Sequence, residues 1–188
     1  MNTRLKKEIE KKFRLENVDK ASFIRRLQNL DAKLIDKKKE VDTYFNVAGR
    51  DSLTTKECLR VRETDTFDEI TYKPPTENFQ VVKSHFAKRE TNVSVNDGKE
   101  ATALLECIGN TVLVVVDKER EHYSLDECAV TLDSVKDVGL FVEIEIQADD
   151  EESALRKINN VAEKLGLDES MIEVLPYRDV VLNNRSQF

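Results

Sequence analysis

Two acidic pairs with the same spacing stand near the start of the chain and about three quarters of the way along it. Glu8 and Glu10 are followed by Lys12, and Glu143 and Glu145 form the second pair. In an extended strand, alternate side chains point to the same face, so each pair would present two neighbouring carboxylates. Carboxylate oxygens are the ligands that hard cations such as Mg²⁺ and Mn²⁺ prefer. The pairs therefore predict a site for one or two such cations.

Basic residues between the acidic pairs recur at the same spacing. Arg60 and Arg62 alternate with apolar residues, Lys118 and Arg120 form a second pair, and Lys73 follows a Thr-Tyr dipeptide. Arginine can bind phosphate oxygens through two parallel hydrogen bonds, and lysine acts as a compact point charge. Acids for a cation and bases for a polyanion suit a metal-triphosphate ligand. The alternative is an ordinary antiparallel sheet whose charged faces are solvated and linked by surface ion pairs.

Six short motifs, in order along the chain, resemble those of the CYTH superfamily. That superfamily contains class IV adenylate cyclases, thiamine triphosphatases and inorganic tripolyphosphatases. The resemblance runs from about Glu8 to Tyr177, which is nearly the whole chain. The motifs are Glu8-x-Glu10-x-Lys12, Asp42-Thr-Tyr44-Phe45, Leu59-Arg-Val-Arg62, Thr71-Tyr-Lys73, Asp117-Lys-Glu-Arg120 and Phe141-Val-Glu-Ile-Glu145.

The resemblance implies a fold and a set of site residues. The fold would be α+β, an antiparallel eight-stranded β-barrel (the family's triphosphate tunnel) with flanking helices and an inward charged face. The implied metal ligands, for Mg²⁺ or Mn²⁺, are Glu8, Glu10, Asp133, Glu143 and Glu145. The implied triphosphate ligands are Lys12, Arg60, Arg62, Lys73, Arg89, Lys118 and Arg120.

Catalysis by resemblance would involve Tyr44 and Lys73 as an activating or leaving-group dyad, together with Lys12. Where relatives often carry further acids after the arginine at position 89, this chain has Thr91 and Val93. Tyr177 and Arg178 match a tyrosine-containing motif, for which a ligand role and a packing or capping role are both open.

Three functions are open at this point. A triphosphatase would hydrolyse tripolyphosphate, thiamine triphosphate or another triphosphate, and the intact second acidic pair with the Tyr44 and Lys73 combination favours it. A class IV cyclase would convert ATP to cyclic AMP and pyrophosphate. A non-catalytic module would only bind a polyphosphate or nucleotide.

Composition limits the alternatives. A chain of 188 residues, 36% charged and 39% hydrophobic, predicts one domain over residues 1–188. A net charge of −7 argues against a general nucleic-acid surface. No apolar run predicts a membrane span or a secretory signal, and three cysteines without metal-type spacing indicate a reducing compartment. We expect a cytoplasmic monomer or homodimer that binds a small-molecule triphosphate.

Periodicity predicts the order of the elements. Helices are expected over 19–34, after Asp97 and from Asp149 to Gly166, with a short one around Tyr177. Residues 76–87 are expected to form a mobile loop over an opening. The predicted strands lie near 6–15, 38–47, 57–65, 68–74, 88–95, 111–121, 128–133 and 140–147.

Overall fold

The structure is a computed structural model that describes residues 7–75 and 91–185, without the side chains of Lys7 and Glu8. The predicted loop over 76–87, the start of the strand predicted at 88 and Arg89 therefore lie outside the described residues. No helix in the described ranges is long and apolar enough to span a membrane. All three cysteines are free thiols.

The described chain divides into two units, each with its own strands and helices. The first comprises 7–37 and 120–174, and the second comprises 38–75, 91–119 and 175–185. Elements wholly in the first are β1 (Lys7–Leu15), α1 (Lys20–Asn29), β7 (Cys128–Val135), β8 (Gly139–Ala148), α4 (Glu151–Lys164) and a 3₁₀ turn, Glu169–Met171. Elements wholly in the second are α2 (Ser52–Thr55), β3 (Cys58–Thr64), β4 (Asp68–Lys73), β5 (Thr91–Val95), α3 (Gly98–Cys107) and α5 (Tyr177–Arg185). Two long strands, β2 (Lys33–Asn46) and β6 (Thr111–Leu125), contribute residues to both.

The predicted α+β class with eight strands is confirmed. Hydrogen-bonded neighbours follow the order β1-β8-β7-β6-β2-β3-β4-β5, and every pair whose register is known is antiparallel. The expected closure into a barrel is not seen in the described residues, where the order begins at β1 and ends at β5. The five-residue β5, at one end of this order, pairs with β4 along one edge. The residues immediately before β5 lie outside the described ranges.

Helix α1 ends earlier than the sequence predicted. It stops at Asn29, Leu30 caps it, and Asp31 takes a left-handed φ of 57° before β2 begins at Lys33. Aspartate tolerates this conformation better than most residues and so terminates the helix. Leu34, which the apolar period had assigned to the helix, is instead an exposed residue of β2.

The other helix starts follow their capping residues. Asp97 accepts hydrogen bonds from the first turn of α3, where the sequence predicted a helix to begin, and Asp19 accepts one from the first turn of α1. The cap of α4 is Asp150 rather than Asp149, because its carboxylate accepts from the Glu152 amide. Each cap supplies an acceptor to amides that have no partner within the helix.

The core of the first unit lies between α4, α1 and one face of β1, β8 and β7. Ile158 of α4 and Leu165, which caps that helix, are fully buried against this face, which contributes Phe13, Val142 and Leu132. Lys11 points to the same side, and its Nζ donates to Asn159 Oδ1 of α4 at 2.7 Å. The opposite face of these strands is therefore left for polar side chains.

A smaller core in the second unit lies under α3. Phe45 and Val61, from β2 and β3, pack with Ala101 and Leu105 of the helix. The polar residues that alternate with Phe45 and Val61 occupy the other face of β2 and β3.

Arg178 anchors α5 within the second unit. Its side chain is 5% exposed, and its Nη1 donates to the carbonyl oxygen of Glu57 at 2.8 Å and to that of Ser52 at 3.4 Å. Its Nε donates to Asp179 at 2.7 Å. Of the two roles left open by the sequence, these contacts support packing.

We expect Arg178→Ala to lower the free energy of unfolding by about 1–3 kcal/mol, because two buried carbonyl groups lose a charged donor. Urea denaturation followed by circular dichroism would measure the change. Arg185→Ala is the matched control, since Arg185 is exposed in the last turn of the same helix, and it should change stability by less than about 0.5 kcal/mol. Equal losses in the two variants would contradict the anchoring role.

Candidate functional site

The polar face of β1, β8 and β7 carries acids and bases in rows across the strands. Glu10 pairs with Glu145, and Lys12 pairs with Glu143. Residues directly opposite one another point to the same face, so these four side chains share it. The register confirms the predicted alternation in these strands.

Arg120 of β6 contacts Glu143 and a further acid on this face, Asp133 of β7. Its Nε donates to Asp133 Oδ1 at 2.7 Å, and its Nη2 donates to Glu143 Oε2 at 2.6 Å. The residues of this β1–β8 cluster are two bases and four acids, with a formal net charge of −2. They are Glu10, Lys12, Arg120, Asp133, Glu143 and Glu145.

Lys12 is a buried base within the β1–β8 cluster. It is 4% exposed, and burial lowers the pKa of its ammonium group, although Glu143, Glu10, Glu173 and Asp133 act to raise it. Desolvation therefore outweighs the attraction of the surrounding carboxylates. The charged lysine is held at a cost in the folded chain.

The acids of the β1–β8 cluster have the charge and the oxygen ligands that suit a cation, but their side chains are not arranged around one metal position. Glu10 and Glu145 lie directly opposite each other, and two carboxylates at that separation repel unless a positive charge lies near them. Across 7–75 and 91–185, no three His, Cys, Asp or Glu side chains are already arranged as ligands of one metal ion. Asp133 and Glu143 are turned toward Arg120 instead. The predicted ligand set stays a prediction, and the side chain of Glu8 lies outside the described residues.

A second cluster lies on the polar face of β2 and β3. The register pairs Asp42 with Arg62 and Tyr44 with Arg60. Arg62 donates to Asp42 through Nε at 2.6 Å and through Nη2 at 2.8 Å, which is a bidentate pair. This β2–β3 cluster contains Glu40, Asp42, Arg60, Arg62 and Lys118, and its three bases and two acids leave a net charge of +1.

Glu40 and Asp42 are both completely buried, and each lies against several bases. Lys118 Nζ is 3.1 Å from Glu40 and 3.9 Å from Asp42, and Arg62 Nη2 is 3.2 Å from Glu40. Burial acts to raise the pKa of the Asp42 carboxyl, but Arg60, Arg62 and Lys118 together hold it far below its ordinary value. Asp42 is therefore ionised throughout the neutral range.

Tyr44 borders the β2–β3 cluster and is protonated. Burial, followed by the charge of Asp42, raises the pKa of its phenol well above the ordinary value. Its hydroxyl can donate a hydrogen bond but is not a base at neutral pH. Thr71 continues the row of Tyr44 and Arg60, whereas Lys73 pairs with Cys58 in the next row. The Tyr44 and Lys73 dyad stays a prediction.

The sequence analysis left two residues out of its site. Glu40 and Asp42 hold the arginines of the β2–β3 cluster, and Asp42 had been noted only as part of a motif. Their spacing from Tyr44 is the signal that could have found them, because positions 40, 42 and 44 share one face of a strand. Arg89 lies outside the described residues.

We expect Lys12→Met to leave thermal stability unchanged or raise it, because the lowered pKa of the Lys12 ammonium group means that burial of its charge costs more than the nearby carboxylates return, and methionine fills a similar volume without that charge. Differential scanning calorimetry at neutral pH would measure the midpoint. Lys136→Met, at an exposed position of the same unit, controls for the general effect of the substitution. A fall in the midpoint for Lys12→Met well beyond that of the control would show that the four carboxylates more than offset the burial.

The sequence profile of the CYTH domain matches residues 6–173 of this chain. A protein of Methanocaldococcus jannaschii that bears the name of a candidate adenylate cyclase is 29% identical over 177 residues, which is 94% of this chain and 92% of the relative. A solved Pyrococcus horikoshii protein superposes with a TM-score of 0.80 at 25% identity, covering 95% of this chain and 99% of the other.

A Hippeastrum protein described as having a dominant triphosphatase activity has the same fold. Its TM-score is 0.63 at 15% identity, with 85% of this chain and 88% of the other covered. This last likeness bears on the fold alone. The profile match, however, extends over most of the chain and includes both clusters. The chain belongs to the CYTH domain family.

Proposed function

We propose that this protein is a divalent-metal-dependent enzyme that binds a triphosphate and hydrolyses it at the terminal phosphorus. The observation that carries the proposal is Arg60. Its Nε is buried and makes no hydrogen bond of normal geometry among the described residues, although its Nη1 lies 3.5 Å from Asp42 and the Tyr44 hydroxyl interacts with the guanidinium. An unpartnered buried donor on a charged guanidinium is costly, and an anionic ligand would supply the missing acceptor.

The net charge of each cluster, taken by itself, suits one part of this ligand. The β1–β8 cluster is net negative, which suits a cation, and the β2–β3 cluster is net positive, which suits phosphate oxygens. Family membership supports this class of ligand, because the members known by activity act on triphosphates.

The residues have separate tasks in this proposal. Mg²⁺ or Mn²⁺ would be held by Glu10, Glu143 and Glu145 with Glu8 and Asp133, and when bound it would neutralise phosphate charge and polarise the phosphorus. The phosphate oxygens would be bound by Lys12, Arg60, Arg62, Lys73, Lys118 and Arg120, with Arg89 as a further candidate.

Much of the catalytic effect would come from charges that are already oriented. Because the side chains of the β2–β3 cluster are held by Glu40 and Asp42, little reorganisation is needed when charge shifts toward the leaving group. Tyr44, which keeps its proton, would donate a hydrogen bond and would not remove a proton from water. Lys73 would place a positive charge beside the departing oxygen and stabilise the negative charge that develops there.

A class IV adenylate cyclase is the second candidate. The name of the Methanocaldococcus jannaschii relative favours it, whereas the Hippeastrum protein, which has the same fold, is described as having a dominant triphosphatase activity. The two reactions differ in the phosphorus that is attacked and in the products. They are therefore separable in one assay.

With Mg²⁺ or Mn²⁺, we expect the purified protein to release orthophosphate from tripolyphosphate, thiamine triphosphate or ATP, and we expect chelation to abolish turnover. A triphosphate carrying about four negative charges would otherwise be repelled by the glutamates. Orthophosphate, pyrophosphate and cyclic AMP should be followed together.

The products decide between the functions. Equal amounts of cyclic AMP and pyrophosphate from ATP, with no phosphate from tripolyphosphate, would establish the cyclase instead. Tight metal-dependent binding without any product would establish a binding module. Turnover that persists in excess chelator would contradict the metal assignment.

We expect Arg60→Lys to weaken binding of tripolyphosphate with Mg²⁺ about tenfold or more, because lysine keeps the charge but lacks Nε and the planar fork. Isothermal titration calorimetry would give the dissociation constant. Arg156→Lys is the control, since Arg156 forms an exposed ion pair with Glu152 in α4. Unchanged affinity for Arg60→Lys would mean that the unpartnered donor does not meet the ligand.

A further inference from the structure

Asp42 is a carboxylate placed among the bases that would bind an anion. It accepts two hydrogen bonds from Arg62, lies 3.5 Å from Arg60 Nη1 and lies 3.9 Å from Lys118 Nζ. A negative charge at this place weakens the attraction of the cluster for phosphate. The net charge of the cluster therefore does not explain why a carboxylate lies at this position.

The contacts of Asp42 fix the orientation of two guanidinium groups. Arg62 uses its Nε and Nη2 edge on Asp42, and the same Nη2 lies 3.2 Å from Glu40. The two parallel hydrogen bonds hold the guanidinium plane of Arg62 and leave Nη1 on the far side of the fork. Arg60 meets Asp42 through Nη1, so its Nε is kept away from the acid and makes no hydrogen bond of normal geometry among the described residues.

Glu40 acts in the same way on Lys118. The side chain of Lys118 is 2% exposed, and its Nζ lies 3.1 Å from Glu40. Two acids thus hold three bases, and the cluster keeps a net positive charge. They restrain the bases without neutralising them.

We propose that Asp42 is a positioning residue that orients Arg60 and Arg62 to bind a triphosphate. The inference rests on the function proposed above and adds to it a residue that touches no substrate. An oriented pair of arginines binds without losing side-chain freedom at the moment of association, so the entropy is lost on folding instead.

Net charge and positioning predict opposite changes in the affinity for tripolyphosphate when Asp42 is replaced by asparagine. Asp42→Asn keeps the size of the side chain and removes one negative charge from the cluster. If only net charge mattered, the variant would bind tripolyphosphate more tightly than the wild type does. If Asp42 positions the arginines, the variant binds more weakly in spite of its more favourable charge.

The experiment is a titration of tripolyphosphate with Mg²⁺ into folded wild type, Asp42→Asn and Asp117→Asn, by calorimetry at two salt concentrations. Asp117 is the matched control, because it lies in the same unit, pairs with Lys39 at 3.5 Å and is partly exposed. We expect the dissociation constant of Asp42→Asn to be at least tenfold larger than that of the wild type at both salt concentrations. The control should bind as the wild type does or slightly more tightly.

Asp42→Glu keeps the test decisive if Asp42→Asn fails to fold. Glutamate preserves the charge but moves the carboxylate by one methylene. Positioning therefore predicts weaker binding of tripolyphosphate, whereas charge alone predicts unchanged affinity. Wild-type affinity in either folded variant would overturn the positioning role while leaving the proposed function standing. Absence of binding by the wild type would overturn the proposed function, and this inference with it.

Discussion

Pairing of buried charges is the interaction on which the rest of this structure depends. Asp42 and Glu40 are completely buried, as is Asp133, and a lone carboxylate in such a place would become protonated or would destabilise the fold. Each instead lies against arginine or lysine. Such pairs do not in themselves make a protein stable, since packed apolar residues often serve as well or better. Their position on one face of each set of strands suits ligand binding, which apolar residues in the same places could not provide.

The period of two residues made that face predictable. Glu10, Lys12 and Glu143 are brought to one side of their strands because Phe13, Val142 and their neighbours are needed on the other side by α4. Strand number, fold class and the start of α3 after Asp97 were predictable for the same local reasons. The function class depended on the order of six motifs, which no single spacing could supply.

What the sequence could not predict depends on contacts between distant residues. The end of α1 at Asn29 is set by the backbone of Asp31 and by the competing strand that starts at Lys33, although the apolar period continued to Leu34. The partners of Arg62 and Arg120 are acids on other strands, and only the register shows which acid each arginine meets. The predicted metal ligands Asp133 and Glu143 could not be recognised from the sequence as partners of Arg120.

The pairing of Arg120 has a consequence for how a metal would bind. Asp133 and Glu143 each accept hydrogen bonds from Arg120, so a cation that used their oxygens would have to share them with the guanidinium or displace it. Phosphate oxygens are alternative acceptors for the displaced N–H groups. If a cation and a triphosphate bound together, Asp133 and Glu143 would be available to the metal and Arg120 would be available to the phosphate oxygens. Either ligand alone would leave one side of this arrangement unsatisfied, so binding of the cation and of the triphosphate should be coupled through this arginine.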